Sequence, residues 1–184
     1  MIRGLVLAGG KSSRFGSDKA QAVYRGTTLL DRAVSLLNDL NLNPVVAARK
    51  GAEVSTLKCV TIYDKRPDQG PLGGIETAMS IFKKVSFLVL TCDMPQVTPG
   101  LLSTLLSAHQ NGREATLFSH EGRPQPFPGI YAASLHDRIR LHLIHGKRFM
   151  RHLLETIENK KCLLSEVDAA FFHNVNFVDD LSAF

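Results

Sequence analysis

The chain has 184 residues, 44% of them hydrophobic and 21% charged, with 22 Lys and Arg against 17 Asp and Glu for a net charge of +5. That length suits a single domain, 1–184, with a full core, and no apolar run approaches the roughly 20 residues that a membrane helix needs. The positive charges are dispersed and not interleaved with aromatics, which points to small anionic ligands rather than a nucleic acid.

The first strand is predicted within the apolar run Ile2–Ala8, over Gly4–Ala8, and breaks into Gly9-Gly10-Lys11-Ser12-Ser13-Arg14-Phe15-Gly16-Ser17-Asp18-Lys19. A buried strand opening into glycines, hydroxyls and cations is suited to cradle a polyphosphate. Glycines let backbone N–H groups approach an anion closely. Arg14 can grip phosphate oxygens with a planar fork, and Lys19 can act as a mobile point charge. Two other phosphate loops are excluded by spacing. A Walker A loop ending in Gly10-Lys11-Ser12 would need its first glycine at Leu5, and Gly9, Gly10 and Gly16 do not give Gly-x-Gly-x-x-Gly.

Further along, a helix is predicted over Leu29–Leu40, capped by Thr28. Strands follow at Pro44–Ala48 and Cys59–Tyr63. Gly70-Pro71-Leu72-Gly73-Gly74 precedes a helix over Leu72–Phe82; it reads either as an opening for a ligand at a helix N-terminus or as a tight turn. The strand Phe87–Thr91 delivers Asp93 at its exit, followed by Met94-Pro95. A carboxylate there can hold Mg²⁺ against phosphates or can serve as a turn or cap residue. Thr98-Pro99 starts a helix over Pro99–His109, and a strand follows at Ala115–Ser119. The stretch His120–Gly129, with three prolines and two glycines, reads as a loop interrupting the alternation. A helix is predicted over Ser134–Leu143. Lys147, Arg148 and Arg151 then form a basic stretch, either a solvated helix face or an anion contact. Asn174 and Asn176 alternate around Val175; on a strand their amides would share one face. The alternation of strands and helices implies a three-layer α/β/α sandwich with a mostly parallel central sheet, binding its ligands at the carboxyl ends of the strands.

Cys59, Cys92 and Cys162 are odd in number and widely spaced, which indicates neither a disulfide framework nor a zinc site and suits a reducing cytoplasm. The start of the chain is not a signal peptide in pattern. His142, His145 and His152 match no metal-binding spacing, and these and the other histidines read as surface or structural.

Leu7-Ala8-Gly9-Gly10, Arg14, Gly16 and Asp18-Lys19 match the signature LAGG-x-S-x-R-x-G-x-D-K. On these residues the chain resembles the molybdenum-cofactor guanylyltransferases and their nucleotidyltransferase relatives. Cys92-Asp93-Met94-Pro95 is similar to that family's C-D-x-P motif, Gly70-Pro71-Leu72-Gly73-Gly74 to its G-P-L-x-G, Gln125-Pro126 with Gly129 and Tyr131 to its Q-P-x-x-G-x-Y, and Asn174 to Leu181 to its N-x-N-T-P-E-D-L.

The resemblance implies a Rossmann-like nucleotidyltransferase fold. It also implies transfer of GMP from MgGTP to molybdenum-bound molybdopterin, with magnesium held by Asp93. Leu7, Ala8, Gly9, Gly10, Lys19, Asp64 and Asp93 would bind the nucleotide. Arg14, Lys19 and Asp93 would carry the transfer. Gly74, Arg148, Asn174 and Asn176 would face the acceptor. Implied partners are GTP, molybdopterin and proteins that make or receive the molybdenum cofactor. The chain departs from the family at Val45-Val46-Ala47-Ala48-Arg49-Lys50, where guanylyltransferases carry an Asn that contacts guanosine, and at Phe177-Val178, which stand for Thr-Pro. A related cytidylyltransferase and a non-catalytic nucleotide-binding handover protein are the alternatives.

Overall fold

The computed structural model describes residues 1–8, 19–52, 54, 59–66, 68–110, 112–157, 172–175 and 180, and the backbone of 161–166. Nine strands and five α-helices are found among them: β1 Ile2–Leu7, β2 Val23–Tyr24, β3 Thr27–Thr28, α1 Leu29–Asp39, β4 Val45–Ala48, β5 Val60–Tyr63, α2 Gly70–Ile81, β6 Ser86–Thr91, α3 Pro99–Ala108, β7 Ala115–His120, β8 Arg123–Tyr131, α4 His136–Ile144, α5 Met150–Thr156 and β9 Lys161–Glu166. Seven strands form one sheet in the order β5-β4-β1-β6-β8-β7-β9, and β2 and β3 form a separate hairpin.

β1 lies at the centre of a four-stranded parallel block. Leu5 is in register with Val45 on one side and Val89 on the other. Both faces of β4, β1 and β6 are covered, so these strands read as largely apolar runs, whereas edge strand β5 buries only Ile62. Leu5, Leu7, Phe87 and Val89 pack with Leu72 and Ile75 of α2, Ile139 of α4 and Leu153 of α5. Their alternates Val6, Ala8, Leu88 and Leu90 pack with Leu30, Val34 and Leu37 of α1 and Leu102 and Leu105 of α3. The result is the three-layer α/β/α sandwich with a mostly parallel sheet. α1 buries Leu29, Leu30, Ala33, Val34 and Leu37 on one stripe, and its Thr28 cap accepts from the Asp31 N–H at 3.0 Å. The Thr98 hydroxyl caps α3 in the same way, accepting from the Leu101 N–H at 3.3 Å.

The expected loop at His120–Gly129 is a correction. Most of it belongs to β8, which pairs antiparallel with both β6 and β7. Glu121 (φ 50°) and Gly122 (φ 70°) make the two-residue turn between β7 and β8, a geometry that fits the twist of a hairpin. The prolines are tolerated because β6 covers only Gly129, Ile130 and Tyr131. Pro124 and Pro126 lie beyond that cover. Residues two apart direct their N–H toward the same side, so these prolines remove donors from one edge only. A register shift opposite Leu117 and Phe118 absorbs the remaining irregularity.

The strand that would align the Asn174 and Asn176 amides is not found among the described residues. Residues 173–175 lie in no strand, because their backbone is engaged elsewhere: the Val175 N–H donates to the Asp93 carbonyl at 2.8 Å. The basic stretch also divides. Lys147 and Arg148 lie in the connection after α4, and Arg151 lies in α5.

Candidate functional site

The parallel block brings four strand ends to one edge. Leu7 is in register with Ala47 and Thr91, and Ala48 with Tyr63. Main-chain bonds then carry the pairing past the strands. Ala8 N–H donates to Ala47 O at 2.9 Å, Cys92 N–H to Leu7 O at 3.3 Å, and Asp64 N–H to Ala48 O at 2.9 Å. Ala8 and Asp93 therefore leave neighbouring strands, and Asp64 leaves the same edge beyond β4, although the three are far apart in sequence.

Lys19 closes this edge from above. It opens a 3₁₀ turn, Lys19–Gln21, anchored by buried Ala20. Ala22 N–H donates back to Lys19 O at 3.1 Å. Its ammonium reaches Asp93 Oδ2 at 2.9 Å, with the two side chains 16% and 22% exposed. The other oxygen, Asp93 Oδ1, is buried and has no hydrogen-bond partner among the described residues. A half-satisfied carboxylate beside a cation offers an acceptor for a ligand and a donor group for an anion.

Asp64 differs. Its Oδ1 is also buried without a described partner. Burial raises its pKa to about 6 because desolvation disfavours the charged form. The segment after it is tied to α2 by the Lys65 N–H, which donates to Thr77 Oγ1 at 3.2 Å. α2 lies directly on β1 and β4 at Gly74: a Cβ there would meet Leu7 Cδ2 at 2.8 Å, Ala47 Cβ at 3.3 Å and Asp64 Oδ1 at 3.6 Å. The tight contact is with Leu7, while the Asp64 oxygen would be in ordinary van der Waals contact with such a Cβ.

At the start of α2, Arg148 donates from Nη1 to Asp68 O at 3.4 Å. Asn174 precedes Val175, whose N–H holds the Asp93 carbonyl. Of the residues singled out from sequence, Leu7, Ala8, Lys19, Asp64, Gly74 and Asp93 meet at one edge. Arg148 comes to the N-terminal end of α2, and Asn174 stands beside the Asp93 turn. Gly9, Gly10, Arg14 and Asn176 lie outside the described residues.

Three contributors were not foreseen. Val175 acts through its backbone, which no side-chain pattern reveals. Thr77 is a buried hydroxyl inside a helix. Arg32 follows Asp31 in the first turn of α1 and resembles an ordinary helix-surface charge; its Nε donates to Pro95 O at 2.7 Å. No helix among the described residues is long and apolar enough to cross a membrane.

A family profile described as "MobA-like NTP transferase domain" matches residues 4–162. A relative from Deinococcus radiodurans, named "Probable molybdenum cofactor guanylyltransferase", is 34% identical over 183 residues, covering 96% of this chain and 90% of its own. Among solved structures, the molybdopterin-guanine dinucleotide biosynthesis protein A from Archaeoglobus fulgidus is similar with a TM-score of 0.81 and 26% identity, covering 100% of this chain and 96% of that one. The 2-C-methyl-D-erythritol 4-phosphate cytidylyltransferase from Thermus thermophilus is similar with a TM-score of 0.72 at 19% identity, covering 97% and 95%; that likeness concerns the fold alone.

Proposed function

The chain belongs to the family of MobA-like NTP transferase domains, and from that premise we propose that it transfers GMP from MgGTP to the terminal phosphate of molybdenum-bound molybdopterin. The products are the guanine dinucleotide cofactor and pyrophosphate. The observation that carries this reading is the Lys19–Asp93 pair at 2.9 Å, set at the carboxyl ends of parallel strands. It joins the two charges that a triphosphate and its cation need.

Asp93 fits magnesium as a hard anionic oxygen ligand whose Oδ1 is buried without a described partner. Bound there, magnesium would neutralise phosphate charge and orient the triphosphate. The acceptor phosphate is already an anion, so the chain need supply no general base. Its task is alignment and charge stabilisation at the α-phosphorus. Lys19 would exchange its contact with Asp93 for phosphate oxygens as charge develops on them. Arg14, by resemblance, grips the leaving pyrophosphate, and the backbone of Leu7, Ala8, Gly9 and Gly10 aligns the nucleotide. Asp64 supplies acceptor oxygens to N–H or O–H donors of the nucleoside. Gly74, Arg148, Asn174 and Asn176 form the acceptor side. In this reading residues 1–184 act as a single cytoplasmic domain that exchanges its cofactor with other proteins of molybdenum-cofactor assembly.

Pyrophosphate release, measured with GTP or CTP and with or without molybdenum-loaded molybdopterin, tests the reading. Release should require GTP and the acceptor together. Equal or faster release with CTP would turn the assignment to a cytidylyltransferase, consistent with Ala47 and Ala48 in place of the guanosine-contacting Asn. Nucleotide binding without release in any pairing would leave a handover protein.

A further inference from the structure

The turn that carries Asp93 is held at two points by groups outside it. The Val175 N–H donates to the Asp93 carbonyl at 2.8 Å, and Arg32 Nε donates to the Pro95 carbonyl at 2.7 Å. Arg32 is half-buried, and its guanidinium carbon lies 5.7 Å from the centre of the Tyr24 ring. Tyr24 packs with Leu29 and Val175 in a small cluster of its own. Tyr24 belongs to the β2–β3 hairpin, which follows the Lys19–Gln21 turn directly, and Leu29 N–H closes that hairpin onto Ala22 O at 2.9 Å. The cluster thus joins the segment bearing Lys19, the start of α1, the segment bearing Asn174 and, through Arg32, the turn bearing Asp93.

We propose that Arg32 is a positioning residue for the metal-binding carboxylate: by holding the Pro95 carbonyl it fixes the direction in which Asp93 presents its oxygens. The proposal rests on the reading of Asp93 as the magnesium ligand. Physically, a carboxylate at a strand exit is oriented by the turn after it. Met94 and Pro95 leave that turn few bonds of its own; within it, Val97 N–H donates to Met94 O at 3.3 Å. A short, charge-assisted bond from a packed arginine supplies the missing constraint. The bond uses Nε rather than the terminal nitrogens, so the position of one donor along the side chain matters more than the charge.

Substitutions can separate the two. Glutamine carries an N–H nitrogen the same number of bonds from Cα as arginine Nε, without the charge. Methionine has similar length and no donor. Lysine keeps the charge but moves the donor one bond outward. Mn²⁺ binding to the full chain with GTP below the protein concentration, followed by water-proton relaxation enhancement, which separates protein-bound Mn²⁺ from the Mn²⁺–GTP complex in solution, reads the site without turnover. Arg32→Met should weaken Mn²⁺ binding about tenfold, Arg32→Lys about threefold, and Arg32→Gln less than about twofold. GTP affinity without metal should stay within about twofold in all three. On an Asp93→Asn background, Arg32→Met should cost nothing further, because the two act through one contact.

Unchanged Mn²⁺ binding in Arg32→Met, equal losses in the Gln and Met variants, or an additive loss on the Asp93→Asn background would each overturn the proposal. If Arg32→Met does not fold, wild type against Arg32→Gln and Arg32→Lys carries the test, with the same ranking expected. Failure of wild type itself to bind Mn²⁺ with GTP would remove the underlying metal assignment, and Arg32's role with it.

Discussion

Two carboxylates leave the same sheet edge and meet different surroundings. At the end of β6, Asp93 faces an ammonium at 2.9 Å. At the end of β5, Asp64 faces Gly74 and the wall of α2, and burial raises its pKa to about 6. Both have one buried oxygen without a described partner, but the missing partners differ in kind. A carboxylate paired with an ammonium suits charged ligands. One beside apolar walls is poised between states and suits neutral donors. Under the proposed function, the fold would divide polyphosphate chemistry from nucleoside recognition by what stands opposite each acid.

The sharpest way to break this contrast is to exchange charge for amide at both positions. Asp93→Asn should lower Mg²⁺-dependent turnover by about 100-fold or more with little change in the thermal midpoint. Near-normal turnover across a magnesium titration would remove Asp93 from the site. Lys19→Met comes next: single-turnover transfer at saturating MgGTP and acceptor should fall roughly 100-fold, and GTP affinity by less than about fivefold. If binding collapsed while the saturated transfer rate held, Lys19 would be a docking residue and the chemistry would lie elsewhere.

How far this arrangement was legible in sequence depends on where the information resides. Apolar runs place β1, β4, β5, β6 and β7 to within two residues at each end, because their cores are short apolar stretches bounded by breaks, even at β5, where Val60 and Tyr63 are exposed. Lys19 and Asp93 were singled out 74 residues apart by their place beside glycines and at a strand exit. The pairing itself comes from the register of β1 with β6, which no local pattern contains. β8 reads as a loop in the sequence because proline counts as a breaker; only the extent of β6 beside it shows that its prolines are harmless. The holds on the Asp93 turn were illegible for another reason. Val175 contributes a peptide N–H, and Arg32 looks like any polar residue on an amphipathic helix.

Asp64→Asn should have a moderate effect with a pH signature. The folded-state pKa, about 6, is above the ordinary carboxylate value of roughly 4, so the folded chain holds this proton more tightly than the unfolded chain. Stability without ligand therefore falls as pH rises from about 4 to 6 and stays lower above that. Asparagine should remove this slope and raise the thermal midpoint at pH 8 by a few degrees at most. Nucleotide affinity in the wild type should increase through pH 6 as the carboxylate becomes a full acceptor. In Asp64→Asn it should be lower by about fivefold and flat over that range. A wild-type binding curve without a step near pH 6 would mean that Asp64 does not touch the nucleotide.

Gly74→Ala should produce the smallest change and isolates the approach to Asp64 from its charge. Two stability terms oppose one another. Alanine in a helix interior gains about 0.5–1 kcal/mol over glycine. Its Cβ would stand 2.8 Å from Leu7 Cδ2 and 3.3 Å from Ala47 Cβ, so Leu7 must shift, at a cost of about 1 kcal/mol. The contact is with the far end of a side chain rather than with backbone, which keeps that cost low, and the net change in stability should lie within about 1 kcal/mol. The same methyl would sit 3.6 Å from Asp64 Oδ1, in van der Waals contact with the oxygen and covering part of it without altering its charge. Nucleotide affinity should therefore drop about two- to threefold with the pH step near 6 retained, measured by titration on folded protein. A loss of that step would mean that the methyl changes how Asp64 ionises, and a strongly lowered midpoint would mean that Leu7 cannot yield. Unchanged affinity would show that ligands reach Asp64 from the sheet edge alone.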